Sequence, residues 1–449
     1  MGKPLDPNAR ASETRSMLLN VGPQHPAMHG IVRIITELDG ETVINAEVEI
    51  GYLHRAFEKM CEQGPYNNAI PYTDRLNYVS PLINNIGYCL AVERLFDIQT
   101  TERCQYIRVI MSEISRITDH LTCIGASAME LGAFTVFLYM IKAREFLYEL
   151  IENVTGARLT ISYARIGGLK SDLPEGFEPK LLAAIVETRK ILKEVEGLLN
   201  TNRIFIDRVK DVGVISKEDA LAYGITGPFL RSTGVDYDVR KVHPYLVYDR
   251  LDFDVPVGEH GDNLDRYYVR MEEMFQSMLI IEQCLKQMPK GSVMVDTAGK
   301  VIPAAMMVDE AKIGHTRGLK DVKVEADPTL EGTGKTFRSV YATEKNVALP
   351  AKEDTYGNIE GLMNHFKLVM HGHGVRPPKG EAYFPVEGAN GELGFYVISD
   401  NSDRPYRVRV RPPCFPIVAA LPKLIIGEGV ADIVPTFGSV NMIGGELDH

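Results

Sequence analysis

Paired cysteines are missing from this chain. Its six cysteines, Cys61, Cys89, Cys104, Cys123, Cys284 and Cys414, never fall in a CxxC spacing. That removes the common local framework for zinc or an iron–sulfur cluster. Scattered thiols also suit a reducing compartment better than a disulfide scaffold. A basic surplus is missing too, since the formal net charge is −11. A free-standing nucleic-acid binder needs a basic face, so that class is set aside. The polar opening, MGKPLDPNARASETRS, has no apolar signal core. These absences point to a cytoplasmic chain. The 45% hydrophobic and 24% charged residues are an ordinary globular composition. A length of 449 residues exceeds one simple core, so two or three subdomains are expected.

Long apolar runs are scarce. Residues 121–141, LTCIGASAMELGAFTVFLYMI, hold a single charge, Glu130. The length would span a bilayer. A lone carboxylate in mid-membrane is costly, and no second span accompanies it. The expected reading is a helix buried in a large bundle. There, Glu130 needs a partner or a proton.

What is present reads as α+β. Residues 31–50 alternate on both sides of Asp39-Gly40, a hairpin signal. Helical periodicity runs from about 83 to 155, with Ile107, Ile110, Met111, Ile114 and Ile117 on one stripe. Further helices are expected at 177–201 and 262–288, with a Gly-rich ordered loop between them. Residues 289–350 lose periodicity and read as an insertion. Residues 355–371 regain a stripe through Ile359, Leu362, Met363, Phe366 and Val369. A second hairpin, AYFPVEGANGELGFYVIS, and the strand YRVRVR follow. The division is an N-terminal α/β domain (1–82), a helical bundle (83–288), the insertion (289–350) and a C-terminal α/β domain (351–449).

Several motifs have bland readings. EGTGKTF at 331–337 lacks the first glycine of a phosphate loop, because position 329 is threonine. HGHG at 371–374 offers two imidazoles without a third or fourth metal ligand nearby. Arg407, Arg409 and Arg411 share a strand face, which suits an acidic partner or internal pairing equally. GPQHPAMHG at 22–30 fails HExxH, because Glu does not follow His25 and Pro26 interrupts any helix. Its histidines sit in a firm Pro/Gly loop, a setting for an aimed proton donor. DRLNYVS at 74–80 puts Tyr78 at the N-terminal end of the first long helix. A tyrosine hydroxyl there can donate to a carbonyl oxygen while its ring lines an apolar pocket. The residues alone nominate His29, Tyr78 and Glu130, and do not show that they meet.

The segments LNVGPQHPAMHG, IGYLHRAFEKM, YTDRLNYVSP, IRVIMSEISRITDHL, ARIGGLKSDLP, ITGPFLRSTGVDYDVRK, PPKGEAYFPVEG and GELGFYVISD resemble, in this order, the D-type subunit family of bacterial NADH–quinone oxidoreductase. This is the 49-kDa-type subunit of respiratory complex I. The resemblance runs from about Leu18 to Val434, interrupted near 289–350. It implies a peripheral-arm subunit on the cytoplasmic side of the membrane, with no redox centre of its own. Its implied partners are the small subunit that carries the terminal 4Fe-4S cluster, a C-type subunit and the membrane arm. NAD(H) would bind at a distant subunit, and quinone would be the substrate. In the family, the second histidine of HPxxHG and the tyrosine of DRxxYxS approach the quinone headgroup. Those positions are His29 and Tyr78 here, and His25 is the structural histidine. The family pairs an Asp with that histidine; MELGAFTV puts Glu130 in its place. Arg55 matches a family arginine on the cluster side.

The wider fold resembles the large subunit of nickel–iron hydrogenases. Their metal thiolates would align near Asn77, Ser80, Ile443 and Glu446, none of which is cysteine. Nickel needs soft thiolates, so hydrogenase chemistry is rejected and no metal site is assigned. The tail SVNMIGGELDH departs from the usual family ending. An inert scaffold is the remaining alternative to a quinone site.

Overall fold

The computed structural model describes residues 16–295, 349–350, 352–370 and 372–449. Three strands, β1 (Met17–Val21), β2 (Arg33–Asp39) and β3 (Thr42–Glu49), form an antiparallel sheet in that order. The sequence pattern missed β1. The Asp39↔Thr42 pair closes the expected hairpin. Gly40 alone takes a positive φ, +64°, at the first central position of a two-residue turn, where a side chain is disfavoured.

Sixteen α-helices are described. α1 (Phe57–Gln63) and α2 (Tyr66–Thr73) precede the long α3 (Pro81–Phe96), α4 (Glu102–Glu130) and α5 (Phe134–Thr155). A small hairpin, β4 (Ala164–Arg165) and β5 (Gly168–Leu169), leads to α6 (Phe177–Leu199). Short helices α7 (Arg203–Val209), α8 (Lys217–Ala222), α9 (Gly227–Arg231) and α10 (Val239–Val242) cross to the long α11 (Asn263–Gln287). After α12 (Lys352–Gly357) and α13 (Ile359–Val369) comes a second antiparallel sheet, β6 (Gly380–Glu387), β7 (Glu392–Ser399) and β8 (Arg407–Arg411). α14 (Cys414–Ile425), α15 (Ile433–Val440) and α16 (Gly444–Leu447) close the chain.

Local chemistry sets the helix ends. Thr101 caps α4 by accepting from the Cys104 N–H, and Asp262 caps α11 by accepting from the Asp265 N–H at 2.8 Å. The stripe Ile107, Ile110, Met111, Ile114 and Ile117 is fully buried. The apolar run 121–141 is not one helix. α4 stops at Glu130, Gly132 turns the chain at φ +90°, and α5 restarts at Phe134. Among the described residues no helix is long and apolar enough to cross a membrane.

Two apolar cores result. One joins α1–α6, α10 and α11 to the β6–β8 sheet. The other joins the N-terminal sheet to α8, α9 and α14–α16. The N-terminal sheet is therefore held by the C-terminal helices, and that union positions the site. The α+β class stands. Of the expected insertion, residues 289–295 are tied to the body, since Leu169 N–H donates to the Val293 carbonyl at 3.1 Å. The remainder up to 348, with EGTGKTF, lies outside the described residues, as does His371 of HGHG. The stripe Ile359, Met363 and Phe366 of α13 faces outward. Arg407 pairs with Glu58 and Glu62, and Arg411 donates to backbone carbonyls. Among the described residues, that leaves only Arg409 of the strand face exposed and unpaired.

Candidate functional site

His25 caps a short 3₁₀ turn at 26–28, where its Nδ1 accepts from the Ala27 N–H at 3.2 Å. Buried Ala27 and Met28 pin that turn. The next residue, His29, sits in the left-handed region at φ +54°. Its backbone therefore turns away from the helical path, and the ring stands exposed on this chain. It has no hydrogen-bond partner among the described residues. Nearby protein still desolvates the ring enough to pull its pKa below the usual histidine value.

Tyr78 lies in the turn before α3. Asn77 shapes that turn, since its Oδ1 accepts from the N–H groups of Val79 at 3.1 Å and Ser80 at 3.2 Å. Asn77 Nδ2 donates to Asp119 at 2.9 Å, and Asn441 Nδ2 donates to the other Asp119 oxygen at 2.6 Å. The half-buried Tyr78 phenol keeps its proton: burial raises its pKa, and Asp119 and Cys414 add to the effect. Its hydroxyl has no partner among the described residues.

The two loops meet on α16. A side chain at Gly444 would collide with Ile31, two residues past His29. One at Gly445 would collide with the carbonyl oxygens of Arg75 and Leu76. Asp448 then accepts from the Gly51 and Leu53 N–H groups at 2.9 and 2.8 Å. Residues 22–32, 51–54, 75–80 and 441–448 thus converge. The structure joins the His29 and Tyr78 loops through α16, without a bond between the two side chains.

Glu130 ends α4 and turns toward α15. A Cβ at Gly438 would sit 2.5 Å from its Oε2, so a side chain there would push the carboxylate aside. That oxygen is buried without a hydrogen-bond partner, and burial lifts the carboxyl pKa to about 7. The direct pairing expected with His29 is not made. Glu130 and the 3₁₀ turn each pack on α15 instead.

Arg55 makes no bond to His29, Tyr78 or Glu130 among the described residues. Its guanidinium donates to the Tyr72 carbonyl at 3.5 Å and stacks over Phe57. With Arg75, Phe57, Met60, Pro71 and Tyr72 it lines an open cleft of about 350 Å³. Burial and the Arg75 charge pull its pKa down. No carboxylate lines this cleft among the described residues.

Residues 77–80 and 441–446 approach each other, and Asp119, which accepts from Asn77 and Asn441, occupies the junction. Among the described residues no group of three His, Cys, Asp or Glu side chains is placed to hold a metal.

Sequence reasoning missed a buried ionic hub. Arg231 pairs with Glu273, with Glu387 at 2.9 Å and with Asp238 at 3.6 Å. Arg240 bonds Asp238 at 2.7 Å and Glu113 at 3.2 Å, and Arg116 pairs with Glu113 at 3.2 Å. Burial works to raise Glu113, but the charges of Arg116 and Arg240 win and hold it down at about 2. Burial and the Asp238 charge lift Glu387 to about 7. The available signal was the charged run from Arg231 to Arg240 inside an otherwise Gly-rich loop.

Comparison with known proteins places the chain in a family. The family model described as "Respiratory-chain NADH dehydrogenase, 49 Kd subunit" matches residues 130–449. The D-type NADH-quinone oxidoreductase subunit of Myxococcus xanthus is 48% identical over 97% of this chain and 94% of its own length. A D-type subunit of Sorangium cellulosum is 48% identical over the whole of both chains. The C/D-type subunit of Bdellovibrio bacteriovorus is 48% identical over 96% of this chain and 68% of its own length. Near-complete coverage at this identity means that the chain belongs to the D-type (49-kDa) subunit family of NADH–quinone oxidoreductase.

Proposed function

We propose that this chain forms the quinone-reduction cavity of a proton-pumping NADH–quinone oxidoreductase, together with the subunit that carries the terminal 4Fe-4S cluster. It works in the peripheral arm, on the cytoplasmic side of the membrane. The observation that carries the reading is the convergence of two loops on α16, each bearing a side chain, His29 or Tyr78, that has no partner among the described residues. A site built for an incoming acceptor needs such unspent donors. The approach of residues 77–80 to 441–446 supports a hydrogenase-like frame in which Asn77, Ser80, Ile443 and Glu446 stand where the metal thiolates would be.

The partner's cluster supplies the electrons, two in sequence. Each carbonyl oxygen of the quinone becomes basic and takes a proton. Tyr78 O–H donates to one oxygen and His29 to the other. A raised phenol pKa keeps the Tyr78 proton in place until that oxygen becomes basic. A lowered imidazole pKa makes His29 release its proton readily. Glu130, a carboxyl titrating near neutrality, answers that change through α15 and links the site's charge to ion movement in the membrane arm. The Arg55–Arg75 cleft, cationic and open, suits the cluster-bearing partner. The C/D relative, which unites both types in one chain, supports a C-type neighbour. NAD(H) reacts at a distant subunit.

Tyr78→Phe tests the reading. It should lower quinone reduction by about 100-fold, the usual worth of a positioned proton donor. Electron transfer from NADH to an artificial acceptor upstream of the cavity should persist. Unchanged quinone kinetics would refute the assignment.

A further inference from the structure

Helix α4 carries a polar line that meets α11 in its first half and α15 at its end. Glu113, Arg116, His120, Cys123, Ser127 and Glu130 follow one another at spacings of 3, 4, 3, 4 and 3. On an α-helix these positions form one stripe. α11 answers with Arg266, Arg270, Glu273 and Ser277, at spacings of 4, 3 and 4. The helices are antiparallel along this seam. Ser277 Oγ donates to Glu113 at 2.7 Å, and farther along α4, His120 Nε2 lies 2.7 Å from Glu273. At the far end Ser127 Oγ donates to the Gly438 carbonyl at 2.9 Å, beside Glu130. His120 and Glu130 are ten residues apart, or about 15 Å along the axis.

Three polar atoms along this line are buried without partners: His120 Nδ1 and Arg270 Nε between α4 and α11, and Glu130 Oε2 farther on, against Gly438 of α15. Native interiors rarely leave such atoms bare, and polar atoms in this position ordinarily bind internal water. The tautomer of His120 follows from its partner. Glu273 is ionised beside Arg231 and can only accept, so Nε2 carries the hydrogen and Nδ1 presents a lone pair to the seam. Asp119 and Arg270 are the other charged groups that act on this ring.

The hub behind His120 has room for one exchangeable proton. Arg116, Arg231 and Arg240 balance Glu113, Asp238 and Glu273. Glu387 is a fourth carboxyl in the same cluster. Neutrality then requires one proton, either on Glu387 or on His120.

We propose that His120 is the proton-exchanging residue of this seam and resupplies the quinone site by way of water that passes Arg270, Cys123 and Ser127 toward Glu130. A hydronium-borne proton taken up at Nδ1 leaves water behind and converts the neutral ring into an imidazolium held against Glu273. Its release to water on the Glu130 side restores the neutral ring. Only N–H and O–H bonds change, and no electron moves. The inference rests on the quinone-site reading and adds a positioning and proton-supply residue about three helical turns from Glu130.

The test uses the assembled complex carrying His120→Gln. Glutamine keeps an N–H toward Glu273 and removes the titrating ring. Quinone-dependent kcat should fall about tenfold at about pH 9, where protons are scarce, and less than about twofold at about pH 6, with KM for quinone unchanged. Transfer to the upstream acceptor should be unaffected at both values. An equal loss at both pH values would mark a packing role and overturn the proposal, as would no loss at either. If His120→Gln does not assemble, Cys123→Ala interrupts the same seam and must give the same pH split. Tyr78→Phe run in parallel separates the two readings. If it inactivates while His120→Gln is silent, the seam alone fails. If it too is silent, the quinone site fails.

Discussion

Replacing Glu130 by glutamine probes the carboxylate that the fold has left alone. Burial raises this carboxyl from 4.5 to about 7. No hydrogen bond compensates at Oε2, and Gly438 closes the space around it. The folded chain therefore holds a proton that the unfolded chain gives up between those values. The native state is most stable below the lower value, loses stability as pH rises toward the upper one, and stays at the reduced level above it. The full difference is worth about 3 kcal/mol, and relaxation around a partly accessible side chain reduces it to about 1–2 kcal/mol. Glutamine is neutral throughout. Glu130→Gln should therefore match the parent in urea denaturation at about pH 5 and exceed it by about 1–2 kcal/mol at about pH 8.5. A difference that does not change with pH would refute the reasoning, because only titration of Glu130 produces the slope.

Other outcomes follow from the same geometry. Gly445→Ala drives a methyl into the Arg75 and Leu76 carbonyls, so α16 must lift and both donor loops shift with it. Quinone reduction should collapse while the upstream activity and the helical circular dichroism persist. Glu93→Ala strands the buried Arg108, which donates to both Glu93 oxygens at 2.6 and 2.8 Å. Its cost should be about 3–5 kcal/mol, read as a fall in the denaturation midpoint at unchanged slope.

Much of the frame was legible because it rests on local rules. Asp39-Gly40 specified a hairpin, and the isoleucine stripe of α4 specified a buried face. Residues 121–141 misled, because hydropathy does not see that Gly132 reverses the chain. The stripe of α13 was visible, but its outward direction was not, since periodicity gives a face and not what lies against it. At the site, His25 and His29 look alike in sequence. The first is spent on the Ala27 N–H, and the second is released by a left-handed backbone. Glu130 seemed to call for a cation, yet its neighbour is Gly438, far along the chain. Such contacts come from tertiary docking, as do most pairs of the ionic hub.

The hub draws its charges from α4, α9, the start of α10, α11 and β6. A chain with four of these five elements docked would hold a naked charge in a dry interior. Partial assembly is therefore disfavoured at every stage, and the body should close in a single cooperative event instead of accreting helix by helix.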